Sequence, residues 1–378
     1  MGAQFDGVSP STRWVVIDVD NDPLGMPNVY LGADPKRPYV PIGLPRGVRR
    51  FEFMLFDDEP SEIVEDDDFV TKLLGDHLPP NTSLDVIRRR VFTHHGRIAS
   101  TFRKGRVLIA GDAAHLMPVW MGQGFNSGVR DATNLAWKLS LVVRGLARQE
   151  LSDTYDLERR DHAKAMIDLS LTLGNIIKPT NPVLAGARDA VSWVVNKSSA
   201  TREYFADMKF KPMPRYQRGV VADHLSLTPG TARAKLSVKD ALLIPFKNAQ
   251  PKESAVGRMF IQPQVAAPEP RLLDTVLGER FAVLTWGMDP QRFLRDADCT
   301  LLQPVCVVSP SQYDWAKTHC AEGTVVVCDI TGELKEWFDQ TGVGSVILRP
   351  DKFVAAVALN AQLSQAWRAV REAGSLTG

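Results

Sequence analysis

Hydrophobic and polar positions fall into different registers along the chain. Residues 14–19 (WVVIDV) and 48–56 (VRRFEFMLF) are rich in β-branched and aromatic side chains and predict strands. Residues 28–33 and 37–44 predict two more, the second interrupted by Pro38 and Pro41, and Pro45-Arg46-Gly47 predicts a hairpin turn. Residues 84–95 return to strand. Together these predict an antiparallel sheet able to cover one face of a pocket. The acidic run 59–68 leads into a helix predicted over 69–78, where carboxylates complement the positive end of the helix dipole.

The period then changes. Val107, Leu108, Ile109 and Ala110 form a continuous apolar run that predicts a buried strand, stopped by Gly111 and Asp112. A loop with Pro118, Gly122 and Gly124 follows, and Asn126 and Ser127 open a long helix. Val129, Ala132, Leu135, Ala136, Leu139, Val142, Val143 and Leu146 predict its apolar face. A second long helix is predicted over 151–173, with Met166, Leu169, Ser170 and Leu173 inward. Glu158, Arg159, Arg160 and Asp161 are spaced for salt links on its outer face. A further helix over 181–196 begins around Pro182. Proline-rich polar stretches near 248–270 predict a boundary. Beyond it, apolar strands at 280–286, 305–309, 324–329 and 345–348 alternate with helical segments at 311–319, 334–341 and from 353 onward. The fold class is mixed α/β (α+β).

A net charge of +1 gives no electrostatic case for nucleic acid or an acidic membrane surface. No apolar run reaches the ~18–20 residues of a membrane span, and the opening MGAQFDGVSPSTRW has no apolar core of the signal-peptide kind. Cys299, Cys306, Cys320 and Cys328 form no CxxC pair, so free thiols in a reducing cytoplasm are expected. His94 and His95 lack a partner at metal-ligand spacing, so no metal is expected; a contact with substrate is the other reading of this pair. Asp112, a short carboxylate at a strand end, can accept hydrogen bonds from sugar hydroxyls. The glycine loop feeding a helix start offers N–H groups and a positive dipole end to an anion. The two suggest a site for a large, partly anionic cofactor.

GDAAHLMP at 111–118, followed by GQGFNSGVRDATNLAWKL at 122–139, resembles the second FAD-binding motif of the flavoprotein aromatic hydroxylases, the class A FAD monooxygenases. The resemblance implies that Asp112 binds the ribityl chain and that Gly124, Phe125 and Asn126 lie near the pyrimidine edge of the isoalloxazine. Val107, Leu108, Ile109, Ala110, Gly111, Ala113, Ala114, His115, Pro118 and Gly122 complete the implied cofactor-binding set. Arg103 and Arg106 are open between the FAD diphosphate and solvent. Trp120 and Met121 sit inside the flavin loop, where Trp120 is either core packing or a wedge that keeps water out.

Further patterns, RRFEFM at 49–54, ERRDHAKAMID at 158–168 and FKPMP at 210–214, are similar to the branch of this family that hydroxylates 3-(3-hydroxyphenyl)propionate. That implies FAD as cofactor, NADH and molecular oxygen as cosubstrates, and a small phenolic acid as substrate. The catalytic base is unassigned. The implied domains are 1–100, part of a substrate-binding sheet domain; 101–175, the end of the FAD-binding domain; 176–257, a helical remainder and linker; and 258–378, a thioredoxin-like domain for packing or a homodimer contact. The family also opens with G-x-G-x-x-G after a first strand, and this chain has none. An incomplete hydroxylase fold is therefore expected. A non-catalytic piece holding half of a flavin site, or an assembly module, is the alternative.

Overall fold

The computed structural model describes residues 1–10, 12–25, 29–222, 254–294 and 301–377. They form two compact units. The first comprises residues 1–100, 110–128 and 163–211, and the second 101–109, 129–162 and 212–378.

In the first unit, β1 (Phe5–Val8), β2 (Arg13–Val19), β3 (Tyr39–Leu44), β4 (Val48–Leu55), α1 (Asp67–Gly75), β5 (Val86–Thr93) and β6 (Gly96–Ala99) follow in order. Four of the strands make the expected antiparallel sheet, in the order β3-β4-β2-β5. Period-two alternation gives it two different faces. Val15, Ile17, Val19, Phe51, Phe53 and Leu55 pack on Val70, Leu73 and Leu74 of α1. The helix starts where Asp66 accepts N–H bonds from Asp68 and Phe69. The turn between β3 and β4 places Arg46 and Gly47 at φ 65° and 74°. Residues 29–33 are not a strand: only isolated bridges, Val29 to Ile42 and Gly32 to Tyr39, tie them to the sheet edge. Asn28 and residues 248–253 of the expected boundary lie outside the described residues.

In the second unit, β7 (Arg103–Lys104) and β8 (Val107–Leu108) form a two-stranded ribbon. The strand expected at 107–110 is thus short rather than buried, with Val107 54% exposed. Its only strand partner among the described residues is β7, so no sheet flanks it on both sides. A third short strand, β9 (His115–Leu116), belongs to the first unit and pairs there with β6.

Two long helices follow, α2 (Gly124–Val143) and α3 (Asp153–Ile177), then α4 (Pro182–Asn196) and α5 (Ser199–Ala206). The faces of α2 and α3 differ from expectation. Val129 and Val143 of the predicted apolar stripe are 46% and 85% exposed, whereas Asp131, Asn134 and Lys138 are buried. Glu158 and Arg159, expected outside, are buried as well. The reason is mutual charge satisfaction. Glu158 accepts hydrogen bonds from Asn134 and Lys138 at 2.7 Å each, and Arg159 pairs with Asp131 at 2.8 Å. A buried charge persists when paired and hydrogen-bonded.

The remainder of this unit is built on β10 (Gln264–Ala266), β11 (Pro270–Leu272), β12 (Phe281–Trp286), β13 (Leu302–Val308), β14 (Val325–Asp329), β15 (Ser345–Leu348) and β16 (Val354–Ala358). Their order is β11-β10-β14-β13-β12-β15-β16. β12, β13 and β14 run parallel, and β15 and β16 close one side as an antiparallel pair. The helices Tyr313–His319, Glu333–Thr341 and Leu363–Ala373 alternate with these strands, the α/β pattern expected. One assignment is corrected. Residues 354–358 (VAAVA) are a strand and the last helix begins at Leu363. A short apolar run buried on both faces carries no period to separate strand from helix. Cys306, Cys320 and Cys328 are free thiols, and Cys299 lies outside the described residues.

Candidate functional site

The glycine positions explain the local path of the chain between residues 110 and 128. Gly111 sits at φ 57°, and a Cβ on Gly128 would lie 3.4 Å from the Gly111 Cα. The turn carrying Asp112 therefore runs against the first turn of α2 with no side chain between them. Gly122, at φ 59°, closes a short 3-10 turn over Val119–Met121 by donating its N–H to the Val119 carbonyl at 2.8 Å. The first helical bond of α2 runs from the Ser127 N–H to Gln123 at 2.8 Å. The N–H groups of Gly124, Phe125 and Asn126 thus precede the helical ladder at its positive end.

The implied cofactor residues fall into two sets. Asp112, Ala113, Gly122, Phe125 and Asn126 are exposed, with Gly111 and Gly124 half-buried beside them. Ala114, His115 and Pro118 are buried, and His115 pairs its backbone with Ile98. Of residues 107–110, only Ala110 lies in the same compact unit as these two sets. The open set brings together a carboxylate, a helix start and a close glycine contact, the donor and acceptor types a nucleotide-like cofactor requires.

Behind the loop lies an aromatic cluster that sequence reasoning only touched. Trp120 meets Trp14 edge-on, with ring centroids 4.7 Å apart. His94 stacks on Trp14 at 5.6 Å and meets Trp120 edge-on at 4.9 Å, with Phe92 at 5.0 Å. Trp14, Val40, Met54, Trp120 and Ile177 form one apolar cluster on the second face of the four-stranded sheet. Gly174 makes room for it, because a Cβ there would lie 2.4 Å from the Trp120 indole nitrogen. His94 is buried and its Nε2 has no hydrogen-bond partner, nor has the Trp14 indole N–H. Burial, aided by the charges of Lys178 and His95, pushes the His94 pKa down to about 4, so the ring is neutral near pH 7.

The same sheet face carries charge further along. Arg50 holds Asp18 with two hydrogen bonds at 2.7 and 3.0 Å. Glu52 lies between these groups and the aromatic cluster, 5% exposed. Burial pushes its pKa up to about 7, with Arg50 opposing the rise and Asp18 adding to it. Sequence gave one signal for Glu52: it is the acid in an otherwise strand-like RRFEFML run. Its burial became visible only once β2 and β3 flanked β4.

Among the described residues no group of three or more His, Cys, Asp or Glu side chains gathers for a metal. No helix among them is long and apolar enough to cross a membrane. A cavity of about 540 Å³ in the second unit, lined by Thr133, Trp137, Arg144, Phe281 and Asp351, includes none of the implied cofactor residues.

Residues 1–170 match the FAD binding domain family and residues 257–373 the HcaD C-terminal domain family. Over these residues the chain is similar to FAD-dependent aromatic hydroxylases. It is 45% identical over 389 residues to the 3-(3-hydroxy-phenyl)propionate/3-hydroxycinnamic acid hydroxylase of Mycobacterium avium (strain 104), covering 100% of this chain and 62% of the relative. It is 48% identical over 362 residues to the Mycolicibacterium smegmatis protein of the same name, covering 94% of this chain and 60% of the relative. The Escherichia coli (strain K12 / DH10B) protein of that name is 41% identical, covering 100% of this chain and 65% of the relative. The chain thus spans 60% to 65% of the length of these relatives. In fold it is similar to the flavin-dependent monooxygenase PieE, solved with FAD and substrate, at TM-score 0.73 and 19% identity over 99% of this chain and 67% of that one. It is also similar to aklavinone-11 hydroxylase, solved with FAD and aklavinone, at TM-score 0.67 and 21% identity over 98% of this chain and 64% of that one.

Proposed function

We propose that this chain supplies the substrate-covering sheet and the flavin-facing loop and helix of an NADH-using monooxygenase. Its reaction is the hydroxylation of 3-(3-hydroxyphenyl)propionate to 3-(2,3-dihydroxyphenyl)propionate. The observation that carries this reading is identity of 41% to 48% with hydroxylases named for that substrate, running through 94% or more of this chain. FAD, when bound, would take reducing equivalents from NADH and activate oxygen. The chain's own residues would do the rest. The Asp112 carboxylate would accept hydrogen bonds from the ribityl hydroxyls. The N–H groups of Gly124, Phe125 and Asn126 would favour negative charge at the ring edge. Trp120, with Trp14 and His94 behind it, would keep water from the reacting face. Residues 258–378 would contribute packing or a homodimer contact, and the reaction would take place in the cytoplasm.

One observation favours a second reading, in which this chain holds only part of the flavin site. Phe125, at the implied ring edge, is 83% exposed, and the chain spans 60% to 65% of the length of these relatives. Additional polypeptide would then complete the face that Asp112 and Phe125 present. Titration of the purified chain with FAD, followed by NADH oxidation and product chromatography with the phenolic acid, separates the readings. Stoichiometric FAD and a catechol product support the enzyme. Weak FAD retention with no substrate-stimulated NADH oxidation supports the partial site.

A further inference from the structure

Glu52 is the acidic side chain on the inner sheet face that has no assigned task. It stands on β4 in register with Val16 of β2 and Val40 of β3, so all three side chains project from one face. One pair along, on the same face, Trp14 faces Met54. Glu52 therefore adjoins the cluster of Trp14, Val40, Met54 and Trp120. Among the described residues no hydrogen bond or ion pair reaches its carboxylate, and the residue is only 5% exposed. Its cationic neighbour Arg50 is already held two-pronged by Asp18. A buried acid normally has a partner, and one without it costs free energy that a ligand can recover.

The other charged or titratable groups on this face do not fill that role. Arg88 lies 3.9 Å from Asp18, and Arg90 pairs in register with Val16 at the exposed strand β5. Lys178 and His94 lie at the Trp14 end, where His94 is neutral near pH 7. Glu52 is thus the one acid on this face, among the described residues, that is both unpartnered and next to the aromatic cluster.

We propose that Glu52 binds the ring hydroxyl of the phenolic substrate and takes its proton. The inference rests on the reading above that the substrate is a phenolic acid. In the step, the O–H bond of the phenol breaks, its proton passes to a Glu52 carboxylate oxygen, and the electron pair remains on the phenolate oxygen. Electron density in the ring rises beside the position to be hydroxylated. The raised pKa of Glu52 suits the exchange, because a proton acceptor works best when its own pKa lies near the operating pH.

The test uses the full chain and two ligands, 3-(3-hydroxyphenyl)propionate and 3-phenylpropionate, which lacks the hydroxyl, with tryptophan fluorescence as the readout. The expected result is about tenfold tighter binding of the hydroxylated ligand, since a site built for a hydroxyl rejects its absence. That preference grows as pH rises through about 7 and is lost in Glu52→Gln. An independent readout needs no folded variant: the infrared carbonyl band of a protonated carboxyl should disappear from the wild-type chain near pH 7. Equal binding of the two ligands, or an E52Q chain that keeps both the preference and its pH dependence, overturns the role of Glu52 and leaves the phenolic-acid reading standing. Failure of both ligands to bind overturns the two together. A wild-type chain with no carboxyl band titrating near neutrality also overturns the proposal.

Discussion

Arg349 grips Glu158 with two parallel hydrogen bonds of 2.8 Å, and neither side chain has any exposure. The carboxylate also accepts from Lys138, Asn134 and the Val220 N–H, while Arg349 donates its Nε to Asp351 at 2.9 Å. Every acceptor site of Glu158 is thereby engaged, the condition under which buried charge is tolerated. Gly219, at φ 100°, is required beside it, because a Cβ there would lie 2.2 Å from the carboxylate. Removing one partner leaves the others buried and unpaired. Glu158→Ala should therefore destabilise the chain by about 3–5 kcal/mol, measured by urea unfolding. Burial raises the Glu158 pKa, but Arg349 and Lys138 outweigh it and bring the carboxyl down to about 2. The folded pKa lies below the unfolded value of 4.5, so this stabilisation is complete above pH 4.5 and is lost as pH falls towards 2.

That network also marks where the sequence could and could not be read. Hydrophobic periodicity located α2 and α3 and put Met166 and Ser170 of α3 inside, as they are, but it misplaced the apolar stripe of α2 and left Glu158 and Arg159 outside. The partner that makes Glu158 a core residue lies 191 positions away, and no local window contains it. The antiparallel sheet was legible because β2 and β4 announce themselves through β-branched and aromatic residues. The loop chemistry from Gly111 to Gly128 was legible for a different reason: glycines at left-handed or close-contact positions leave a fixed imprint on sequence. Glu52 was not, since its burial depends on strands flanking it on both sides.

His94 should make the first unit sensitive to mild acid. Its pKa is lowered from 6.5 to about 4, so the unfolded chain binds the extra proton across that interval. Stability from this group is complete above pH 6.5 and falls as pH drops towards 4, by up to about 3 kcal/mol. His94→Phe keeps an aromatic ring between Trp14 and Phe92 and removes the titration. The urea midpoint of H94F should change less than that of the wild type between pH 6.5 and 4.5, where Glu158 contributes no change because its window begins at pH 4.5. Equal acid sensitivity in the two chains would show that His94 is protonated without cost.

Gly174→Ala sets two effects against each other. Alanine in a helix interior gains about 1 kcal/mol over glycine. The added Cβ would meet the Trp120 indole nitrogen at 2.4 Å, and a fused ring wedged against Trp14 and His94 cannot yield cheaply. Overpacking of this kind costs about 1–3 kcal/mol, so net destabilisation of up to about 2 kcal/mol is expected, with a red shift in tryptophan emission. In a Trp120→Ala background, which itself costs about 3–5 kcal/mol, G174A should add no further loss, because the clash is gone. Additive losses would place the strain elsewhere.

Asp112→Ala distinguishes a cofactor ligand from a structural acid. The side chain is exposed, and no hydrogen bond or ion pair reaches it among the described residues. Its replacement should therefore leave the urea midpoint within about 0.5 kcal/mol of wild type. A carboxylate that accepts hydrogen bonds from a sugar chain contributes about 1.5–3 kcal/mol when it is charged. The FAD dissociation constant should then rise by about ten- to a hundredfold, read by quenching of flavin fluorescence on titration, even where the wild-type affinity is itself weak. Asp112→Asn, which keeps an acceptor oxygen without the charge, should fall between the two. Unchanged FAD affinity in D112A would remove the residue from the site. A matching loss of stability would mean that the turn at Gly111 needs the carboxylate for its own shape.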